Sequence, residues 1–418
     1  MKKIFILLLI CFFTSSLCLF ADDEEKDSKM NAADEDLAVS NSGRSPFRVK
    51  DRRVEVGLVS GNIGFANNFL STSQIFQERM IIDINDLGKG FKVNFDLGLT
   101  PLFFNYTANE KKWGFGLSVN VEAMGILSLS GNMLTLSEAA GDKSDVSGAA
   151  FVSVKASSFF NIHTENTKIK ANLSLFYPVM YVDPKISYSL NNSGDSTMID
   201  IEYMLRIYTP ISMEEGASTA ITSLPGVDIQ LGVEYGLAEV LGLKEKISFL
   251  DFIVGLDLLN IPIVPSSMNT YIEMAGRVGG DEKIDIDDPE GFFSSQETRG
   301  RKTKNIFRPF KMLVWADWKP FDAVPVSFIP TIGFAINPLY HEPGSLEAGI
   351  KARFDLANLF IATLGVGFHD RMWKNSLDLI LNFRFIEFNI GVDMRSQDFA
   401  QSWSGGGFGV NFGVKFGG

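Results

Sequence analysis

The chain of 418 residues carries 38 lysines and arginines against 50 aspartates and glutamates, and its formal charge of −12 excludes nucleic acid as the natural partner. Its two cysteines, Cys11 and Cys18, both lie near the start, so the remainder builds neither a disulfide framework nor a thiolate metal site. Hydrophobic residues make up 45% of the chain, with 36 Phe and 38 Gly, yet no run of about 20 apolar residues follows the opening segment and no transmembrane helix is expected.

The opening segment has the form of an export signal. Met1, Lys2 and Lys3 give a basic start, Ile4 to Phe13 an apolar stretch, and Thr14, Ser15 and Ser16 a small polar zone. Cleavage after Ala21 is expected, making 1–21 a signal peptide. A lipoprotein cut before Cys18 is the other reading, against which the bulky Leu17 stands. Residues 22–52 then form an acidic N-terminal segment without aromatics until Phe47, a solvated tail or a plug for whatever follows.

From residue 53 to the end, apolar and polar residues alternate in one segment after another. Phe91, Val93, Phe95, Leu97 and Leu99 alternate with Lys92, Asn94, Asp96 and Gly98. Trp113 through Ala123 alternate with a row containing Asn120 and Glu122, and Val227 through Tyr235 with Asp228, Gln230 and Glu234. Leu346 through Phe354 alternate with a row containing Lys351 and Arg353. Further on, Asp378, Asn382, Arg384, Asn389 and Asp393 continue the polar row, and Phe408 through Phe416 close the series. Period 2 sustained over about nine residues is the length and pattern of a membrane-spanning strand.

The connections support the same reading. Backwards from the C-terminus, the gaps 395–407, 369–376, 337–345 and 276–308 are long, while 384–387, 355–358 and 319–325 are shorter. Short turns at the periplasmic end and longer external loops are the habit of outer-membrane barrels. The predicted fold is therefore all-β, a closed antiparallel transmembrane β-barrel over 53–418. It has about 14–16 strands, an even count as both termini on one side require. The stretch 249–275 is either one long strand broken by Pro262 and Pro265 or a strand plus a loop, and 168–191 could be one bent strand. Trp113, Trp315, Trp318, Trp373, Tyr340 and Phe416 suit aromatic girdles at the membrane interfaces.

In lipid a sheet survives only if it closes, with apolar rows outward and polar rows facing the lumen. The candidate lumen-lining residues are therefore Lys92, Asn94, Asp96, Asn120, Glu122, Asp228, Gln230, Glu234, Lys351, Arg353, Asp378, Asn382, Arg384, Asn389 and Asp393. They can line a wet channel or interlock and seal it. Catalysis is not expected. His163 and His341 fall in connections, and His369 beside Asp370, with Ser376 as the nearest candidate nucleophile, is a solvated loop edge. Asp281, Glu282, Asp285, Asp287, Asp288 and Glu290 lack the spacing of a calcium loop, so neither metal nor cofactor is expected.

The leader, the acidic spacer, the strand series and the phrase FRPFKMLVWADWKPFD at 307–322 resemble outer-membrane β-barrel proteins of spirochaetes, some of them grouped with the long-chain fatty-acid transporter (FadL-like) family. The resemblance implies a channel or transporter in a bacterial outer membrane, porin-like or FadL-like, that passes small or hydrophobic solutes. The family's Asn-Pro-Ala hatch tripeptide does not occur here, so no ligand residue is carried over. The implied partners are outer-membrane lipid, the solute, the barrel-assembly machinery during biogenesis and further copies of the chain. The alternative is a non-transporting surface barrel whose external loops bind host or matrix partners.

Overall fold

The computed structural model describes residues 53–68, 91–108, 113–129, 143–164, 167–193, 196–211, 221–237, 252–278, 293–320, 324–340, 343–383, 385–404 and 406–417. The predicted signal peptide and acidic segment lie outside these residues.

The first half of the wall consists of β1 (Val54–Asn67), β2 (Phe91–Thr107), β3 (Trp113–Leu129), β4 (Lys143–His163), β5 (Thr167–Ser193), β7 (Gly226–Gly236) and β8 (Phe252–Val264). It continues with β11 (Phe310–Trp318), β12 (Val326–Ile336), β13 (Gly344–Leu356) and β14 (Phe360–His369). The last wall strands are β15 (Met372–Phe383), β16 (Ile386–Ser396) and β17 (Gly407–Gly417). Each pairs antiparallel with the next, and Glu55 opposite Gly417 joins the last strand to the first, closing a 14-stranded barrel. Closure leaves no wall edge, so every strand of the ring has a hydrogen-bonding partner on both sides.

Direction is fixed by exposure. On β13, Leu346 is 70% exposed and Ile350 51%, whereas Glu347 is 1% exposed. The same holds round the ring, where Leu117, Leu173, Ile332, Leu364 and Ile390 stand outward, and Asn94, Lys155, Lys170, Asp228 and Asp393 are buried inside. The alternation is therefore that of a transmembrane barrel, apolar outside and polar within.

Three further strands leave the ring. β6 (Ser196–Thr209), β9 (Ser266–Val278) and β10 (Phe293–Ile306) form a second tier beyond the rim opposite the termini. Strand β5 builds the junction. Its Thr167–Phe176 half pairs with β7, and beyond Pro178, Tyr181–Ser193 pairs with β6. Strand β9 continues β8 past Pro265 and joins β6 to β10. A hinge at Phe307, Arg308 and Pro309 brings the chain from β10 back into the wall. The stretch 249–275 is thus two strands in different tiers, and much of 276–308, read from sequence as a loop, is strand. Proline explains the break, since it removes a ladder donor.

Two corrections concern turns and girdles. Strand β15 begins at Met372, not near residue 376, because Asp370 (φ 48°) and Arg371 (φ 64°) make a two-residue turn of the left-handed hairpin type. Ala357 and Asn358 (φ 57° and 56°) take the same left-handed backbone in the three-residue turn 357–359 at the other rim. Trp315 is not a girdle residue. It points inward, 3% exposed, and its indole N–H donates to Asp257 Oδ2 at 2.6 Å. Tyr340 lies in the far mouth. Outward aromatics do gather at both rims: Tyr106, Trp113 and Phe115 at the terminal end, and Phe368 and Trp373 at the other. There the short helix α1 (Phe399–Ser404) adds Phe399 and Trp403.

Inside the terminal end, Phe103 and Phe159 stack at 5.6 Å over Gly116. A Cβ at Gly116 would overlap the Phe159 ring and stand 2.5 Å from the Phe104 carbonyl oxygen. Gly116→Ala is therefore expected to destabilise the barrel by about 1–3 kcal/mol through overpacking. Urea unfolding in lipid vesicles reads this, and an unchanged midpoint contradicts the packing.

Candidate functional site

Ion pairs line the lumen from one rim to the other. Near the termini, Lys415 approaches Glu387 at 3.7 Å. Above it, Arg353 bonds Asp317 at 2.7 Å, and Lys170 pairs with Glu234. In the middle, Glu122 binds Lys155 and both Nε and Nη2 of Arg308, while Arg308 Nη1 donates to Asp228 at 2.9 Å and Asn260 Oδ1 at 2.7 Å. Beside these, on the neighbouring β2 and on β16, Arg395 is held by Asp96 and Asp393. Removing one partner of such a buried pair costs about 3–5 kcal/mol, so the groups lock one another in place.

All of the predicted lumen residues but Arg384 have a described place. Asn94, Asp96, Asn120, Glu122, Asp228, Gln230, Glu234, Arg353 and Asp393 all lie in this interior network. Asp378 accepts from Asn411 at 2.9 Å, Asn382 is buried, and Asn389 keeps its side-chain oxygen buried without a protein donor. Lys351 lies on the inner row beside Gly365, and Lys92 is exposed at the opposite rim. Arg384 lies outside the described residues, as do His341 and the carboxylates of 281–290. Glu347, on the polar row of 346–355, lies in the same interior, as do Lys155, Lys170, Asp257, Arg308 and Arg395, which escaped the sequence reading.

The far mouth is different. Directly opposed residues on four neighbouring strands form an aromatic ladder, with Phe151 facing Tyr181, Tyr181 facing Tyr208, and Tyr208 facing Tyr271. The tyrosine rings lie 6.1 and 5.8 Å apart, and the ladder ends at Gly300, whose missing side chain leaves room for the Tyr271 hydroxyl. Such opposed pairs each stabilise a sheet by about 0.2–1 kcal/mol. Met268, Ile306 and Leu339 bury themselves against this surface. Lys304 Nζ sits 4.5 Å from the Tyr181 ring centre and the Arg206 guanidinium 4.9 Å from that of Tyr271, so cations cover part of the ladder.

Leu339 arrives on a strap, the connection between β12 and β13. Its neighbour Tyr340 donates to the Asp370 carbonyl at 2.7 Å and accepts from Asn94 Nδ2 at 2.8 Å, and Arg371 lies over its ring at 5.0 Å. The strap therefore touches β2, the β14–β15 turn and the second tier together. Burial and the nearby Asp370 charge raise the Tyr340 phenol above its usual pKa, so it stays protonated and able to donate. Burial alone would raise the Asp370 carboxyl, but Lys311 at 2.8 Å, with His369 and Lys374, holds it below the usual carboxylate range. His369 Nδ1 lies 2.8 Å from Glu347 Oε2, and Ser376 is opposite Gly365, further along the wall.

Beside the strap the wall has a recess. Pro262, Phe307, Arg308, Phe310, Ile336 and Pro338 line a cavity of about 370 Å³, nearly all of it apolar. It lies where the ring strands β8, β11 and β12 end and the hinge begins. Phe307, Ile336 and Pro338 are exposed at its edge, and Ile306, Arg308 and Leu339 beside them are buried.

Fold and site together define a closed transmembrane β-barrel with a lumen lined by ion pairs and an apolar recess. No protein-family profile and no curated protein matches the chain. Among solved structures, the P. putida toluene transporter TodX is similar at 10% identity and a TM-score of 0.49, over 94% of this chain and 96% of that one. The Ralstonia pickettii toluene transporter TbuX is similar at 7% identity and a TM-score of 0.45, over 88% and 90%. A Pseudomonas aeruginosa FadL homologue follows at 9% and 0.44, over 88% and 90%. The barrel stands on its own strand pairing, not on these likenesses.

Proposed function

We infer that this protein is an outer-membrane transporter for small hydrophobic solutes, FadL-like in manner. The observation that carries this reading is the apolar recess at the far end of the wall. The recess sits beside the buried apolar cluster of Phe151, Tyr181, Tyr208, Met268, Ile306 and Leu339, at the end of a lumen lined by ion pairs. A general porin needs the reverse, an open polar lumen with unpaired walls. A solute enters at the recess by Phe307 and Pro338, whose volume suits a small ligand. Candidate lumen residues such as Glu122, Asp228 and Asp393 then serve to hold the barrel's interior closed to water rather than to bind the solute.

The experiment is uptake. Toluene, the solute named for two of the similar barrels, is given in radiolabelled form to cells making the protein and to cells without it. Wild-type protein is expected to raise the initial rate, and Phe307→Glu, which puts a charge into the recess, to remove most of the gain. Equal rates with and without the protein refute transport of this class. They favour the second reading, a surface barrel whose projecting tier of β6, β9 and β10 meets an external partner.

A further inference from the structure

Arg308 stands on the hinge between tiers, yet its bonds reach a distant strand. Glu122 belongs to β3, separated from β11 by β4, β5, β7 and β8 in the ring. At about 4.8 Å per strand that is roughly 24 Å along the wall, far beyond an arginine's reach. The contact must therefore cross the lumen, with the hinge carrying the guanidinium inward. The arrangement is fixed at both ends. Asn260, with a left-handed backbone (φ 53°), donates to the Pro309 carbonyl at 2.8 Å, and its Oδ1 accepts from Arg308 and from Gln230. Lys155 of β4, 1% exposed, holds the other side of Glu122. Arg308 is 4% exposed and Asp228 1%.

We propose that Arg308 is the bolt of an ion seal: by bridging Glu122 and Asp228 across the lumen it closes the barrel to ions. The two carboxylates face two cations, Lys155 and Arg308, so the seal is neutral in sum. An ion can cross only by pulling a buried charge from its partner. The seal holds whether or not the mouth carries hydrophobic solutes, so it stands apart from the transport reading.

The composition of the seal predicts a sign. Arg308→Ala leaves two carboxylates against one cation, and the opened path should select cations. Glu122→Gln with Asp228→Asn keeps the shapes and leaves two cations, and the path should select anions. Each protein is placed in a planar bilayer under a KCl gradient, after an unheated gel has shown that it is folded. Wild type is expected to give no stepwise conductance, and the two variants to conduct with reversal potentials of opposite sign. Arg308→Lys is expected to stay shut. Wild-type conductance equal to that of the variants overturns the seal, and so do variants that remain shut. Leaks of one common sign also overturn it, since they report a loosened wall. If Arg308→Ala fails to fold, the double variant decides alone: anion-selective conductance supports the bolt and silence refutes it.

Discussion

Ile350→Lys is expected to destabilise the barrel by about 2–4 kcal/mol, the cost of a cation facing lipid near the bilayer midplane. Ile350 lies at the centre of β13, opposite Pro330 and Val366, and its side chain is 51% exposed on the outer face. In water that exposure would make the substitution nearly free. In a membrane the lysine must abandon hydration or distort the lipid around it. The neighbouring Lys351→Ile provides the control, because it removes a half-buried inward charge and leaves the lipid face unchanged. Equilibrium unfolding in urea with phospholipid vesicles should separate the two, with the outward lysine costing far more. Equal, small effects would mean that the exposed rows meet water.

Leu339→Ala is the second large effect. Leu339 is 7% exposed and packs against strands from both tiers, so truncation should cost about 2–5 kcal/mol in transfer and cavity terms. The loss falls on the strap, where the Tyr340 hydroxyl accepts one hydrogen bond from Asn94 and donates one to the Asp370 carbonyl. Hydrogen exchange of the peptide spanning residues 336–344 should therefore speed up about 30-fold or more. Tyr340→Phe, which removes two hydrogen bonds worth about 1 kcal/mol each, should have a smaller effect. The opposite order would show that polar bonds, not the packed leucine, hold the strap down.

Much of this fold was legible because a barrel wall is the simplest case for period 2. The segment 346–355 alternates without interruption, and in it Leu346, Ile350 and Phe354 stand exposed while Glu347 and Arg353 are buried. The alternation failed where the wall does something else. At Pro178 the pattern shifts because β5 changes partner, and at Pro262 and Pro265 because β8 passes into the second tier. Trp315 looked like a girdle residue by type, yet its place opposite Gly255 gives it space inside the wall. The interior network was half visible. Residues on clean rows, such as Glu122 and Asp228, could be assigned a face. Arg308 could not, because it sits in no strand, and only a charge flanked by Phe307 and Pro309 hinted at a special position. The aromatic ladder depends on registers between strands distant in sequence, which no local pattern encodes.

A closed barrel with its apolar rows in lipid underlies everything above, and migration on a detergent gel tests it most directly. The protein is run unheated and boiled, alongside membranes washed with carbonate. The structure predicts that the unheated protein migrates differently from the boiled one and that the wash leaves it in the membrane, since 14 paired strands resist detergent until heat opens them. A single common band, with the protein released by carbonate, would contradict the barrel's place in lipid.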